Sequence, residues 1–166
     1  MTHLAARLGI LFGLWVLCTN AVAVAQQPNH DALPKPSVTL EAEEVVRIVI
    51  NALADNDTPF PDAGIATTFN FASPGNKVNT GPLERFTRMV NSEPYALMVG
   101  HASTEFSDVV TTNGKVYQMV RITGTEGRSI VYAFRMGLQP DGPFKDMWMT
   151  EAVWPVATPE GDQQAF

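Results

Sequence analysis

Residues 104–138 read TEFSDVVTTNGKVYQMVRITGTEGRSIVYAFRMGL, and this stretch decides the fold. Its hydrophobic period is two. Val116, Val120 and Ile122 share one face of an extended chain, opposite Lys115, Tyr117, Met119 and Arg121. β-Branched and aromatic residues fill two runs, Thr104 to Thr112 and Lys115 to Thr123. Asn113-Gly114 between them is the pair that favours a two-residue hairpin turn. Gly124-Thr125-Glu126-Gly127 reverses the chain again, into a strand from Arg128 to Leu138. There Ile130, Tyr132, Phe134, Met136 and Leu138 share a face, while Ser129, Val131, Ala133 and Arg135 take the other. The turn cluster Gln139-Pro140-Asp141-Gly142-Pro143 leads to a last strand, Met147 to Trp154. Four strands on short links predict an antiparallel meander whose apolar face needs a cover.

The cover comes from upstream, where the period changes to 3.6. Thr39 is placed to cap a helix, and Glu41, Glu43 and Glu44 put negative charge at the positive end of its dipole. Ala42, Val45, Val46, Val49 and Leu53 recur at the spacing of one buried face, so the first helix runs to about Ala54. Residues 56–61, Asn-Asp-Thr-Pro-Phe-Pro, break it. Asp62 is positioned to cap a second, shorter helix that buries Ile65, Ala66 and Phe69, and Ser73-Pro74-Gly75-Asn76 ends that helix. Gly81 and Pro82 fit the start of a third, with Leu83, Phe86, Met89 and Val90 on one side, before Glu93-Pro94 stops it. The fold class expected is α+β: three helices packed on a curved antiparallel sheet of about four strands.

Outside this body, residues 38–154, the chain has no apolar periodicity to fold it. Arg7 closes a short charged region, an apolar run extends from Leu8 through Leu17, and Ala23-Val24-Ala25 supplies the small-x-small pattern of a signal peptidase site. Residues 1–25 therefore read as a signal peptide cut between Ala25 and Gln26. The apolar run is about half of the roughly 20 residues a membrane-spanning helix needs, so no stable membrane anchor is expected after cleavage. Cys18 is preceded by Leu17, where a lipoprotein signal needs a small residue. Residues 26–37 carry Pro28, Pro34 and Pro36 and read as a linker; residues 155–166 read as a disordered tail. The expected home is the periplasm or the exterior.

Composition removes several functional classes. Of 166 residues, 45% are hydrophobic and 17% charged, which suits one globular domain rather than a disordered chain. Eleven Lys and Arg face 17 Asp and Glu, a formal net charge of −6, and an acidic surface is a poor partner for nucleic acid. The lone cysteine departs with the leader, so the mature domain has no thiol chemistry and no internal disulfide. No Cys/His spacing suggests a metal, no Gly-rich loop follows a strand, and Gly-x-Ser-x-Gly is missing, so no cofactor is expected.

Several short stretches add what periodicity does not. Asp62-Ala63-Gly64-Ile65-Ala66, Phe71-Ala72-Ser73-Pro74, Thr80-Gly81-Pro82 with Phe86 and Met89, Pro94-Tyr95 and Gln139-Pro140-Asp141-Gly142 resemble the bacterial family catalogued as domain of unknown function 4864. The likeness spans about Val45 to Val153. Such proteins resemble the nuclear transport factor 2-like superfamily, and this implies a cone-shaped sheet wrapped around helices, often enclosing a pocket. It implies no reaction, because that superfamily holds enzymes, carriers and interaction domains. The insertion Pro143-Phe144-Lys145-Asp146 departs from the pattern and blurs the start of the last strand.

Few residues offer chemistry. His101 is the one histidine that a folded site could use, since His3 leaves with the leader and His30 lies in the linker. Glu151 shares parity with Met147, Met149 and Val153; on an inner face it would be a carboxylate in an apolar pocket, the arrangement used for acid–base work. The preferred alternative turns Trp148, Thr150, Ala152 and Trp154 inward and Glu151 to water. Tyr132 sits on an apolar face, where its hydroxyl needs a partner. Phe69, Phe86, Tyr132 and Phe134 are expected to meet and line a pocket, because each lies on the apolar face of its own element. Two classes of function follow. The first and preferred one is a non-catalytic envelope module that binds a small apolar ligand or another envelope protein. The second is a dehydratase- or isomerase-type enzyme with His101 or Glu151 as base and Tyr132 as hydrogen-bond donor. The sequence leaves the oligomeric state open.

Overall fold

The computed structural model describes residues 28–156; the stretch expected to be a signal peptide, residues 1–25, and most of the expected tail lie outside the described residues. Four helices precede five strands. They are α1 (Ala42–Ala54), α2 (Ala63–Phe71), α3 (Pro74–Thr80), α4 (Leu83–Val90), β1 (Ser103–Phe106), β2 (Val110–Thr112), β3 (Lys115–Thr123), β4 (Ser129–Leu138) and β5 (Trp148–Val156). The class is α+β, with the helices on one face of an entirely antiparallel sheet.

The hairpin reads as its sequence demands. Asn113 and Gly114 both take positive φ, 49° and 71°, the pair of left-handed residues a tight primed turn needs. Val116, Val120 and Ile122 pair with Met136, Tyr132 and Ile130, which keeps all six on the helix-facing side. The expected strand over residues 104–112 is broken in two, however, because Ser107, Asp108 and Val109 stand opposite only Gln118 and Met119. The Ser107 hydroxyl takes the Met119 N–H at 3.0 Å and the Ser107 carbonyl takes Gln118 Nε2 at 3.0 Å, which restores bonding where the ladder bulges.

Helix α1 buries Val45, Val46, Val49, Ile50 and Leu53 against the inner residues of β3 and β4, in one cluster that also holds Phe71, Phe86, Tyr132, Phe134 and Met136. Its cap differs from the expectation at Thr39. The Thr39 hydroxyl pairs with Ser37 at 3.0 Å, and the start of the helix is fixed by Glu44, which reaches back to the Glu41 N–H at 2.8 Å. Asp62 likewise does not cap α2 through its side chain; it adopts φ 61° and no side-chain cap bond forms. Buried Asn56 does that work from the preceding turn. Its Oδ1 accepts from the Ile65 N–H at 3.1 Å, its backbone carbonyl accepts from the Gly64 N–H at 2.8 Å, and its amide donates to Asp57 and Asp62. Gly64 is required there: a β-carbon would collide with the Ala52 carbonyl and the Asn56 backbone.

The second helix does stop before Ser73-Pro74-Gly75-Asn76, as expected, but the same stretch also starts a further helix. The Ser73 hydroxyl accepts from the Asn76 N–H at 3.1 Å and Pro74 occupies the first turn, an N-cap and N1 pair. α3 buries no residue, and Val78 is 82% exposed. Polar bonds hold it instead, with the Ser73 N–H and Asn76 Nδ2 both donating to the Thr150 carbonyl, at 2.9 and 3.2 Å. Part of the Pro-rich segment is also packed down. Leu33 is buried against Ala63 and Ala66, and the His30 ring meets Phe60 edge-on at 4.9 Å.

Strand β5 resolves the parity question in neither expected way. Arg135 pairs with Ala152 and Met136 with Thr150, so Glu151 is an extra residue in a bulge. Trp148, Thr150 and Val153 face the helices with Met136 and Phe134, whereas Ala152 and Trp154 pair with outward Arg135 and Ala133. The bulge flips the alternation, and no period-two reading survives it.

Candidate functional site

The helices do not fill the space above β4 and β5. A cavity of about 340 Å³ remains among the helices, the segment after α4 and the bulged end of the sheet. Its apolar wall is built by Val49 and Leu53 of α1, Phe86, Met89 and Val90 of α4, and Phe134 of β4. The polar side is Thr68 of α2, Asn76, Asn79 and Thr80 of α3, Tyr95 and Thr150. Arg135, Glu151, Ala152 and Val153 close it around the bulge. A mostly apolar recess with a few placed polar groups is the usual make-up of a small-molecule site.

Of the residues singled out in the sequence, Phe86, Phe134 and Glu151 border this cavity, and Phe69, Tyr132 and His101 do not. Phe69 packs against Phe86, with ring centroids 5.2 Å apart, and carries the Lys77 amine over its ring, 5.2 Å from the centroid. Lys77 donates to the Asn70 carbonyl at 3.2 Å and also sits 5.4 Å from the Phe144 ring; partial burial pulls its pKa below the ordinary lysine value. Tyr132 belongs to the core. It is fully buried, stacks on Tyr95 at 6.5 Å, and donates its hydroxyl to the Pro94 carbonyl at 2.7 Å. Burial above all, with the Glu93 carboxylate adding to it, pushes the Tyr132 pKa up to about 12. The proton is thus held at neutral pH and directed at protein.

His101 precedes β1 and bonds the Met98 carbonyl through Nδ1 at 2.8 Å. A carbonyl only accepts, so Nδ1 carries the proton. Glu151, preferred as a water-facing residue, is tied down on the outer face. Its side chain is 19% exposed and forms ion pairs with Lys115 and, at 3.3 Å, with Arg135. A β-carbon at Gly137 would strike this carboxylate, so Gly137 leaves the floor on which it lies. The three candidate groups therefore have separate partners: Met98, Pro94, and the Lys115–Arg135 pair.

The polar residues that do face the cavity escaped the sequence reading. Their signal was the Ser73-Pro74 helix start, which puts Asn76 and Thr80 four residues apart on one turn. On sequence alone Thr150 is only one member of a strand face. Among the described residues no group of His, Cys, Asp and Glu could hold a metal ion, and no helix is long and apolar enough to cross a membrane.

Fold and cavity together define a class: an α+β domain whose helices cover one face of an antiparallel sheet and leave a recess of mixed polarity. Residues 38–159 match the family described as Domain of unknown function (DUF4864), and the chain belongs to that family. No curated protein and no solved structure matches it.

Proposed function

We propose that this chain is an exported, non-catalytic module that binds a small molecule in the cavity between its helices and β5. One observation carries the reading. The surrounding residues Val49, Leu53 and Phe134 are at most 1% exposed, yet a space of about 340 Å³ stays open beside them, bordered on one side by hydroxyl and amide groups. A core that served stability alone would close such a space, because unfilled volume weakens packing. Assignment to the nuclear transport factor 2-like superfamily and to a bacterial cell envelope is part of the same proposal. The helix-on-sheet layering supports the former, and the leader with its Ala23-Val24-Ala25 site supports the latter.

The dehydratase or isomerase alternative draws less support, since it needs at least two of His101, Glu151 and Tyr132 converging on one substrate atom. Each is bonded elsewhere. Native mass spectrometry of the protein purified from its own envelope tests the proposal. A chain starting at Gln26 that retains a small molecule is the expected result; a full-length, membrane-bound chain refutes export, and a ligand-free chain that no apolar probe stabilises refutes binding.

A further inference from the structure

On the ligand-binding reading above, a ligand has to get in, and the structure as it stands does not let it. The apolar floor of the cavity, Val49, Leu53 and Phe134, is at most 1% exposed, and what water cannot touch a larger molecule cannot reach until a wall moves. The space meets the surface at exposed Asn79 of α3. The other helices are pinned by apolar side chains, α1 by Val49 and Ile50, α2 by Ile65 and Phe71, and α4 by Phe86 and Val90. Moving any of them exposes core. α3 buries no residue and leaves Val78 in water.

What ties α3 down is polar and reversible. Asn76 Nδ2 donates to the Thr150 carbonyl at 3.2 Å, and the Lys77 amine donates to the Asn70 carbonyl at 3.2 Å between the rings of Phe69 and Phe144. Water can replace both bonds. The Thr150 carbonyl keeps the Ser73 N–H at 2.9 Å when Asn76 leaves, and Lys77 regains the solvation that partial burial denies its charge. Asn76, Asn79 and Thr80, which α3 contributes to the cavity wall, are polar and enter water without a hydrophobic cost. A helix of seven residues does not persist in water once released. Its flanks stay fixed, by buried Ala72 and Ser73 before it and buried Phe86 after it.

We infer that α3 is the gate of the cavity: it lets go of Thr150 and Asn70, unwinds between Ser73 and the start of α4, and admits an apolar molecule to Val49, Leu53 and Phe134 before it re-forms. The gate sets how fast a ligand enters and leaves, whereas the floor sets how tightly it is held, so the two can be perturbed separately. Gly75 offers the means. It lies in α3 outside the cavity wall, no atom stands within 4 Å of where its β-carbon would be, and alanine holds a helix better than glycine.

Hydrogen exchange of the protein without ligand tests the gate directly. The Lys77 and Gly81 N–H groups, bonded to the Ser73 and Lys77 carbonyls at 2.9 and 2.8 Å, should open roughly a hundredfold or more often than interior N–H groups of α1. Toluene, followed by NMR line shapes, then reports passage. Gly75→Ala should slow its association and its dissociation together, roughly two- to fivefold. Lys77→Ala, which removes the Asn70 bond and the contact with both rings, should speed both by roughly as much. α3 amides as protected as those of α1, or toluene rates that neither substitution moves, would refute the gate while the ligand cavity stands. If toluene does not bind, the ligand reading falls and the gate falls with it.

Discussion

Truncating Phe134 and Phe71 separately measures whether the cavity is open in the folded protein. Both rings are 0% exposed and belong to the same cluster, but Phe134 borders the cavity of about 340 Å³ and Phe71 does not. Removing a phenylalanine ring from a filled core costs about 3–5 kcal/mol, part for lost transfer energy and part for the void created. That is the expectation for Phe71→Ala. A ring bordering empty space already lacks neighbours on one side, and even a narrow gap forfeits a quarter to a half of each atomic contact. Phe134→Ala should therefore cost about 1–2 kcal/mol less than Phe71→Ala. Urea denaturation of both variants beside the parent gives the numbers, provided the slope with denaturant is unchanged. Toluene should also restore stability to Phe134→Ala, by about 2.7 kcal/mol at a hundred times its dissociation constant. Equal penalties at the two positions, with no rescue of Phe134→Ala, would refute the reasoning.

Three further outcomes follow from single contacts. Asn56→Ala leaves the Ile65 N–H buried without its acceptor and should cost about 2–3 kcal/mol by chemical denaturation, while Asp62→Ala should cost well under half of that; a reversed order would show that Asp62 is the cap after all. Gly137→Ala should destabilise by about 1–3 kcal/mol, because its methyl displaces the Glu151 carboxylate from Lys115 and Arg135, and a neutral result in a thermal melt would remove that packing argument. The Tyr132 pKa stands at about 12 in the folded protein against 10.0 for the ordinary phenol, so the unfolded chain loses this proton first. The stabilisation is complete below pH 10 and fades up to about pH 12, by roughly 2–3 kcal/mol. Tyr132→Phe should lack this fall, and parallel stability profiles for the two proteins between pH 9 and 12 would contradict the assignment.

The residues determined the class by themselves wherever one local preference acted alone. Asn113-Gly114 fixes a hairpin because its two residues tolerate positive φ, and the alternation through Lys115–Thr123 and Ser129–Leu138 then sets which side is buried. The valines of α1 mark their own face in the same way. Helix α3 was hidden because it has no apolar face; it exists through Ser73, Pro74 and bonds to the Thr150 carbonyl, 74 residues from Asn76 along the chain. Tertiary structure alone decided the end of the sheet. At Glu151 one extra residue reverses the alternation, and whether a strand bulges depends on the partner it pairs with rather than on its own pattern. The cavity follows from both effects. Its polar wall comes from a helix without periodicity and a strand with a broken one, so no local rule could bring Asn76, Thr80 and Thr150 to the same recess as Phe86 and Phe134.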